Sequence, residues 1–343
     1  MNSKTPKLAL TMGDPAGIGP EIIVAGWRQM ITTVPCKPIV YGHPEFLDRA
    51  ARMLNLNYKI QQIESPFAAE PSEHQIPCLK ACSDDALKIE HGRVGIHAGE
   101  AAYHSIITAV IHALLKKVDA IVTAPINKKS LNLAGCNYPG HTELIAERCG
   151  CTNFAMMLYL AKNSMIQSPH GLAVVHVTLH TAMQNIFREI RIDTVLSKIK
   201  LAHDFMLSIR GTTPKIGVCA LNPHAGEMGL FGYEEITFIE PAVKLAQEEG
   251  MDAAGPFPAD TMMLAGKNGD FDAIVAMYHD QGHIALKLLG MHSAVNITLG
   301  LPIIRTSVAH GTAFDRAWQG VAKPDSMIEA TRIANILARS RLE

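Results

Sequence analysis

Short apolar runs alternate with longer stretches of helical periodicity along this chain. Residues 8–12, 37–41, 120–123, 172–177, 216–220, 273–277 and 294–297 are brief and largely apolar, as strands buried on both faces should be. Between them, residues 95–117 repeat apolar positions at Ile96, Tyr103, Ile106, Ile107, Val110 and Leu114, the spacing of a buried helix. A further helix is predicted to start near Pro20 and Glu21, because proline suits the first helical position and an acidic side chain complements the helix dipole. Segments 44–54, 192–208, 233–249 and 327–338 also read as helices, with Pro241 kinking or splitting the third of these. Strands alternating with helices predict an α/β fold with a largely parallel sheet.

The 343 residues suggest one large domain or two ordinary ones, and 48% apolar with 18% charged residues fits a globular core. A formal net charge of −1 excludes a broad field for nucleic acid or an anionic membrane, so an anionic substrate needs a local cationic pocket. Seven cysteines without a C-x-x-C pair argue against a disulfide framework and for a reducing compartment. The polar residues 1–7 lead into no signal-peptide core, and no stretch of 18 apolar residues occurs. The expectation is a cytoplasmic protein that binds neither membrane nor nucleic acid.

Five segments carry candidate chemistry. The run Gly13-Asp14-Pro15-Ala16-Gly17-Ile18-Gly19-Pro20-Glu21 joins a predicted strand to a predicted helix, where glycines allow close approach of a ligand or simply a tight capped turn. It is not a Rossmann fingerprint, because Ile22 stands where the third glycine belongs. Pro139-Gly140-His141-Thr142-Glu143 could present His141 and Thr142 to an anion, or only open a helix. Three histidines, His176, His224 and His279, lie at or just beyond the ends of predicted strands, where open α/β sheets bind ligands. Three imidazoles gathered there would suit a divalent transition metal with an open position. With 16 histidines in the chain, His180, His283 and His310 compete for that role.

Lys287, Asn296 and Arg305 form a downstream polar set. Arg305 follows an apolar run, so a cation there needs an assigned anionic partner. The small-residue turn from His310 through Gly311, Thr312 and Ala313 to Ala317 opens a predicted helix and could hold an adenine or ribose. Asp260 and Asp280 are candidate acid/base or ligand-orienting carboxylates, with helix capping the alternative for Asp260.

Taken in order, Gly-Asp-Pro-Ala-Gly-Ile-Gly-Pro-Glu at 13–21, Thr-Ala-Pro-Ile-Asn-Lys at 123–128, Pro-Gly-His-Thr-Glu at 139–143 and Leu-Asn-Pro-His-Ala-Gly-Glu at 221–227 resemble the 4-hydroxythreonine-4-phosphate dehydrogenase family. So do Pro-Ala-Asp-Thr at 258–261, Met-Tyr-His-Asp-Gln-Gly at 277–282 and the run at 295–308. The resemblance implies a two-domain subunit of the isocitrate/isopropylmalate dehydrogenase type, with the active site in the cleft and a homodimer whose partner helps complete each site. Residues 1–125 and 296–343 would form the cofactor side, and 126–295 the metal, substrate and dimerisation side. It implies a divalent metal (Zn, Mg, Co or Mn) on His176, His224 and His279. Substrate would meet His141, Thr142, Lys287, Asn296 and Arg305, with catalytic roles for Asp260 or Asp280. NAD or NADP would lie against His310, Gly311, Thr312 and Ala313, which resolves the missing Rossmann motif.

The implied reaction oxidises 4-phosphohydroxy-L-threonine to a 3-oxo acid that decarboxylates to 3-amino-2-oxopropyl phosphate, in pyridoxal phosphate synthesis. Paralogues acting on 4-phospho-D-threonate or 4-phospho-D-erythronate are the alternative. His283 with 286–290, and residues 229–232, look at least as similar to that sugar-acid branch. Aromatic dihydrodiol dehydrogenases also belong to the group. A metal-dependent hydrolase would need the same histidines without a nucleotide, and a sugar-phosphate sensor would bind without turnover. Two departures stand out: Ala309 where relatives usually carry Asp, and extra residues around 162–170.

Overall fold

In the computed structural model, which describes residues 4–290 and 293–342, two compact units partition the chain: residues 1–152 with 301–343, and residues 153–300. The chain therefore changes unit after 152 rather than after 125, and His141 and Thr142 belong to the first unit.

The first unit contains β1 (Lys7–Thr11), α1 (Gly19–Thr33), β2 (Lys37–Gly42), α2 (Pro44–Met53), β3 (Lys59–Ile63), β4 (Gln75–Lys80), α3 (Ile96–Leu114), β5 (Ala120–Thr123), α4 (Lys128–Leu133) and α5 (His141–Arg148). The chain returns to it as β12 (Arg305–Val308) and α11 (Asp325–Leu342). Its strands run in the order β3-β4-β2-β1-β5-β12, all parallel to their neighbours. β1 and β5 sit centrally and are buried throughout except at Lys7, which is why they read as plain apolar runs. β3, at the edge, is half-exposed and polar, so its sequence gives little signal.

Connection β1–α1 is packed against the chain itself. A Cβ on Gly13 would stand 2.2 Å from the Pro125 carbonyl oxygen, at φ +71°, and one on Gly19 would stand 2.1 Å from the Met12 carbonyl oxygen. Of the two readings the sequence left open for these glycines, ligand approach or a tight turn, the neighbouring backbone beside Gly13 and Gly19 favours the tight turn. Residues 310–320 lie on this same turn: Ile18 N donates to Thr312 O (3.1 Å), while Trp318 N and Gly320 N donate to the buried Glu21 carboxylate. No helix opens in 310–317. These residues form turns, and α11 begins only at Asp325.

The second unit contains β6 (Ala155–Leu160), β7 (Leu172–His176), α6 (Met183–Glu189), α7 (Ile192–Arg210), β8 (Lys215–Cys219), α8 (Glu240–Glu248), β9 (Asp252–Phe257), α9 (Ala259–Asn268), β10 (Ala273–Ala276), α10 (His279–Gly290) and β11 (Val295–Leu299). Its strand order is β11-β6-β7-β10-β8-β9. β6 is antiparallel to both neighbours, and β7, β10, β8 and β9 are mutually parallel. The extra residues around 162–170 belong to the β6–β7 connection, where Tyr159 Oη donates to the His170 carbonyl (2.7 Å). Pro241 divides its segment as the sequence predicts: a π-turn over Glu235–Ile239 precedes α8.

Candidate active site

In the second unit, three neighbouring parallel strands end on the candidate metal residues. His176 is the last residue of β7, His279 opens α10 after β10, and His224 follows β8. Parallel pairing in the order β7-β10-β8 brings all three segments to one edge of the sheet.

His176 is buried, and its Nδ1 lies 3.4 Å from the Met156 carbonyl oxygen. Burial, assisted by the nearby His279 and opposed by that carbonyl, lowers its pKa to about 4. His279 Nδ1 lies 2.6 Å from Asp280 Oδ1. One turn along α10, His283 stacks on His279 with ring centroids 3.8 Å apart, and its Nδ1 lies 3.0 Å from His176 Nε2. Burial first, then His176, His279 and Lys287, lowers the His283 pKa to about 2. Burial favours the neutral form of His176 and His283, the form that binds cations. His180 lies nearby, its ring 6.3 Å from that of His279.

His224 stands apart from this cluster in its contacts. Its side chain is 70% exposed and its Nδ1 lies 3.3 Å from Glu227 Oε1. The backbone from His224 to Met228 is left-handed at five successive residues, four of them not glycine. Left-handed backbone costs an L-residue roughly 1–2 kcal/mol, and such strain concentrates at functional sites. Buried Glu235 holds the entry to this turn, accepting hydrogen bonds from Leu221 N (2.8 Å) and Asn222 N (2.7 Å).

Imidazole is a ligand type that divalent metals accept. Each of the three histidines has Nδ1 against an oxygen, the arrangement that orients Nε2 toward a cation. A closed shell is not formed: among the described residues no three His, Cys, Asp or Glu side chains are arranged to hold a metal ion.

Lys287 lies one turn beyond His283 on α10 and is half-buried. Asn296, in β11, donates through Nδ2 to Met156 Sδ (3.3 Å), so Met156 touches both Asn296 and His176. Asn296 Oδ1 is buried with no hydrogen-bond partner among the described residues. Asp260 is exposed at the second residue of α9 and binds Thr261 N (2.9 Å). It is not the cap of that helix, which is Pro258.

The first unit gathers a second polar group. Arg305 opens β12 fully buried, and its Nη2 donates to Thr123 Oγ1 at the end of β5 (2.7 Å). Burial lowers its pKa to about 9, against the negative charge of Glu143. Glu143 thus supplies the anion that a buried arginine requires. His141 and Thr142 start α5, and Thr142 is buried. Burial and the Arg305 charge hold His141 well below the usual histidine range, and its Nε2 has no hydrogen-bond partner among the described residues. In the turn 310–313, His310 Nδ1 lies 3.0 Å from Gly311 O, Gly311 is exposed, Thr312 is buried and Ala313 has φ +44°. Thr123 and Glu143 lay inside the sequence motifs without an assigned role. The link from Thr123 to Arg305 spans 182 positions of sequence, beyond the reach of local pattern.

Among the described residues no helix is long and apolar enough to cross a membrane. The family model described as pyridoxal phosphate biosynthetic protein PdxA matches residues 34–334. The chain is 43% identical to a 4-hydroxythreonine-4-phosphate dehydrogenase of Trichlorobacter lovleyi, over 99% of this chain and 100% of that one. It is 41% identical to a D-threonate 4-phosphate dehydrogenase of Cupriavidus necator, over the same shares of each. The crystal structure of 4-hydroxythreonine-4-phosphate dehydrogenase from Klebsiella pneumoniae superimposes with a TM-score of 0.85 at 39% identity, covering 97% of this chain and 100% of that one. An α/β subunit, three strand-end histidines and this full-length similarity lead to one family: the chain belongs to the PdxA family and is a dehydrogenase, an oxidoreductase acting on a CH–OH group.

Proposed function

We propose that this dehydrogenase oxidises 4-phosphohydroxy-L-threonine to a 3-oxo acid that loses CO2 to give 3-amino-2-oxopropyl phosphate. The observation that carries the site assignment is the set of histidines at the ends of three adjacent parallel strands, each with Nδ1 engaged by an oxygen. His176, His224 and His279 would hold one divalent ion (Zn, Mg, Co or Mn), and the turn from His310 to Ala313 would take the adenine side of NAD or NADP. When bound, the ion supplies positive charge beside the reacting hydroxyl and the nicotinamide supplies the hydride acceptor.

Lys287 and Arg305 bind the anionic groups of the substrate, and His141, Thr142 and Asn296 add hydrogen bonds. The unpartnered atoms His141 Nε2 and Asn296 Oδ1 support that role, since a buried polar atom gains most from a ligand that satisfies it. Asp280, hydrogen-bonded to His279, can orient that imidazole, and Asp260 or Asp280 relays the proton. A homodimer in the cytoplasm is part of the same reading, supported by the family resemblance and by seven free cysteines.

A second reading, oxidation of 4-phospho-D-threonate, is favoured by relatives of that name standing at nearly the same identity. His279→Ala tests the shared core of both. It should abolish metal-dependent turnover and bound metal while the protein stays folded. Wild-type turnover and metal content would refute the ligand assignment.

A further inference from the structure

In the first unit, β1, β5 and β12 are adjacent parallel strands, and their register sets Thr11, Thr123 and Ser307 side by side near the carboxyl ends. Arg305 pairs with Ile121, two residues earlier on each strand. Side chains two apart on a strand share a face, so Arg305 lies on the same face as Thr123 and Ser307. Its guanidinium runs forward along the strands, and Nη2 donates to Thr123 Oγ1 at 2.7 Å. The carboxyl ends are where open α/β sheets bind ligands. Both residues of this pair are buried. Of the flanking hydroxyls, Ser307 Oγ donates to the Val308 carbonyl (3.1 Å), and Thr11 Oγ1 is buried with no hydrogen-bond partner among the described residues.

We propose that Thr123 is a positioning residue for the substrate: its hydroxyl fixes the direction of the Arg305 guanidinium, so that the fork meets an oxyanion squarely. The inference rests on the proposed reading of Arg305 as an anion ligand and is independent of the histidines. Glu143, on α5, supplies the opposite charge. Charge attraction depends on distance and sets no plane. A hydroxyl oxygen does set one, because a hydrogen bond weakens steeply as its angle bends. Threonine is β-branched and therefore stiff at χ1, and β5 is buried throughout, so the acceptor is held on a rigid element. Orientation matters here because a guanidinium grips phosphate or carboxylate through two parallel N–H···O bonds, and a turned fork loses one of them. Valine at 123 fills the same space and offers no acceptor.

The test is calorimetric titration of the full-length protein with inorganic phosphate, chelator present, with thermal denaturation alongside. It compares wild type, Thr123→Val, Thr123→Ser, and Arg305→Gln combined with Glu143→Gln, a pairing that leaves no lone buried charge. Thr123→Val should weaken phosphate binding by about 10–150-fold, the loss of one charge-assisted hydrogen bond, while Thr123→Ser keeps the acceptor and should bind as wild type does. Wild-type affinity in a folded Thr123→Val, even with a lowered melting temperature, would overturn the inference, because a merely structural hydroxyl affects stability alone. Thr123→Ser as weak as Thr123→Val would overturn it too. If Thr123→Val does not fold, Thr123→Ala decides by the same criterion. The double variant separates the two levels. Wild-type phosphate binding there, or none in the wild type itself, refutes the anion reading of Arg305 and the inference with it. Lost binding there with intact binding in Thr123→Val refutes only the role of Thr123.

Discussion

His176 Nε2 and His283 Nδ1 lie 3.0 Å apart, so the nitrogen that the proposed metal needs on His176 is engaged by another imidazole. A metal at His176 must displace that hydrogen bond. Replacing His283 with Phe keeps a ring stacked on His279 and removes the competitor. A hydrogen bond worth about 1 kcal/mol then predicts roughly fivefold tighter divalent-metal binding in His283→Phe. Calorimetric titration checks this, and a tenfold weakening would make His283 itself a ligand.

Gly13 makes the β1–α1 connection possible through both its conformation and its missing side chain. Gly13→Ala forces a Cβ into the Pro125 carbonyl at a positive φ, combining overpacking with backbone strain. A loss of roughly 2–4 kcal/mol is expected, read as a lower urea midpoint. An unchanged midpoint would show that this turn can open cheaply.

Asp14 is fully buried, and burial raises its pKa to about 6 against hydrogen bonds from Ala16 N and Ser130. A carboxyl whose folded pKa lies above its unfolded value of 3.8 holds its proton more tightly when folded. Its contribution to stability is complete below pH 3.8, declines as pH rises toward 6, and is absent above that. Asp14→Asn removes the titration. It should stabilise the protein at pH 8 by up to about 3 kcal/mol and change little at pH 4. Equal effects at both pH values in denaturant unfolding would contradict this.

Lys287 projects from α10 one turn past His283 without a structural salt bridge among the described residues. Lys287→Ala should leave the fold intact and lower kcat/KM for a phosphorylated substrate by roughly 10–150-fold, the worth of a charged hydrogen bond. Steady-state kinetics against phosphorylated and unphosphorylated substrate checks it, since only the former should suffer.

The strands that carry the histidines were legible because β7, β8 and β10 are short apolar runs bounded by polar loops. β6, equally buried, was not, since Ala-Met-Met-Leu-Tyr-Leu has no β-branched residue to favour strand over helix. The left-handed turn at His224–Met228 has almost no sequence signature: Gly226 alone is permissive there, and the conformation is held by Glu235 from beyond the turn. The arrangement of Arg305, Thr123 and Glu143 depends on strand order, which local sequence does not encode. Conversely, the glycines at 13–21 left a ligand cradle and a tight turn both open, because a tight self-packed turn and a phosphate loop demand the same residue type.

The most direct measurement is reduction of NAD+ and NADP+, followed at 340 nm, with divalent metal present and with chelator. The substrates are 4-phosphohydroxy-L-threonine, 4-phospho-D-threonate, 4-phospho-D-erythronate and an unphosphorylated dihydrodiol. The account predicts metal-dependent reduction with a phosphorylated four-carbon acid, foremost 4-phosphohydroxy-L-threonine. Reduction with the diol alone, or turnover indifferent to chelator, would contradict it.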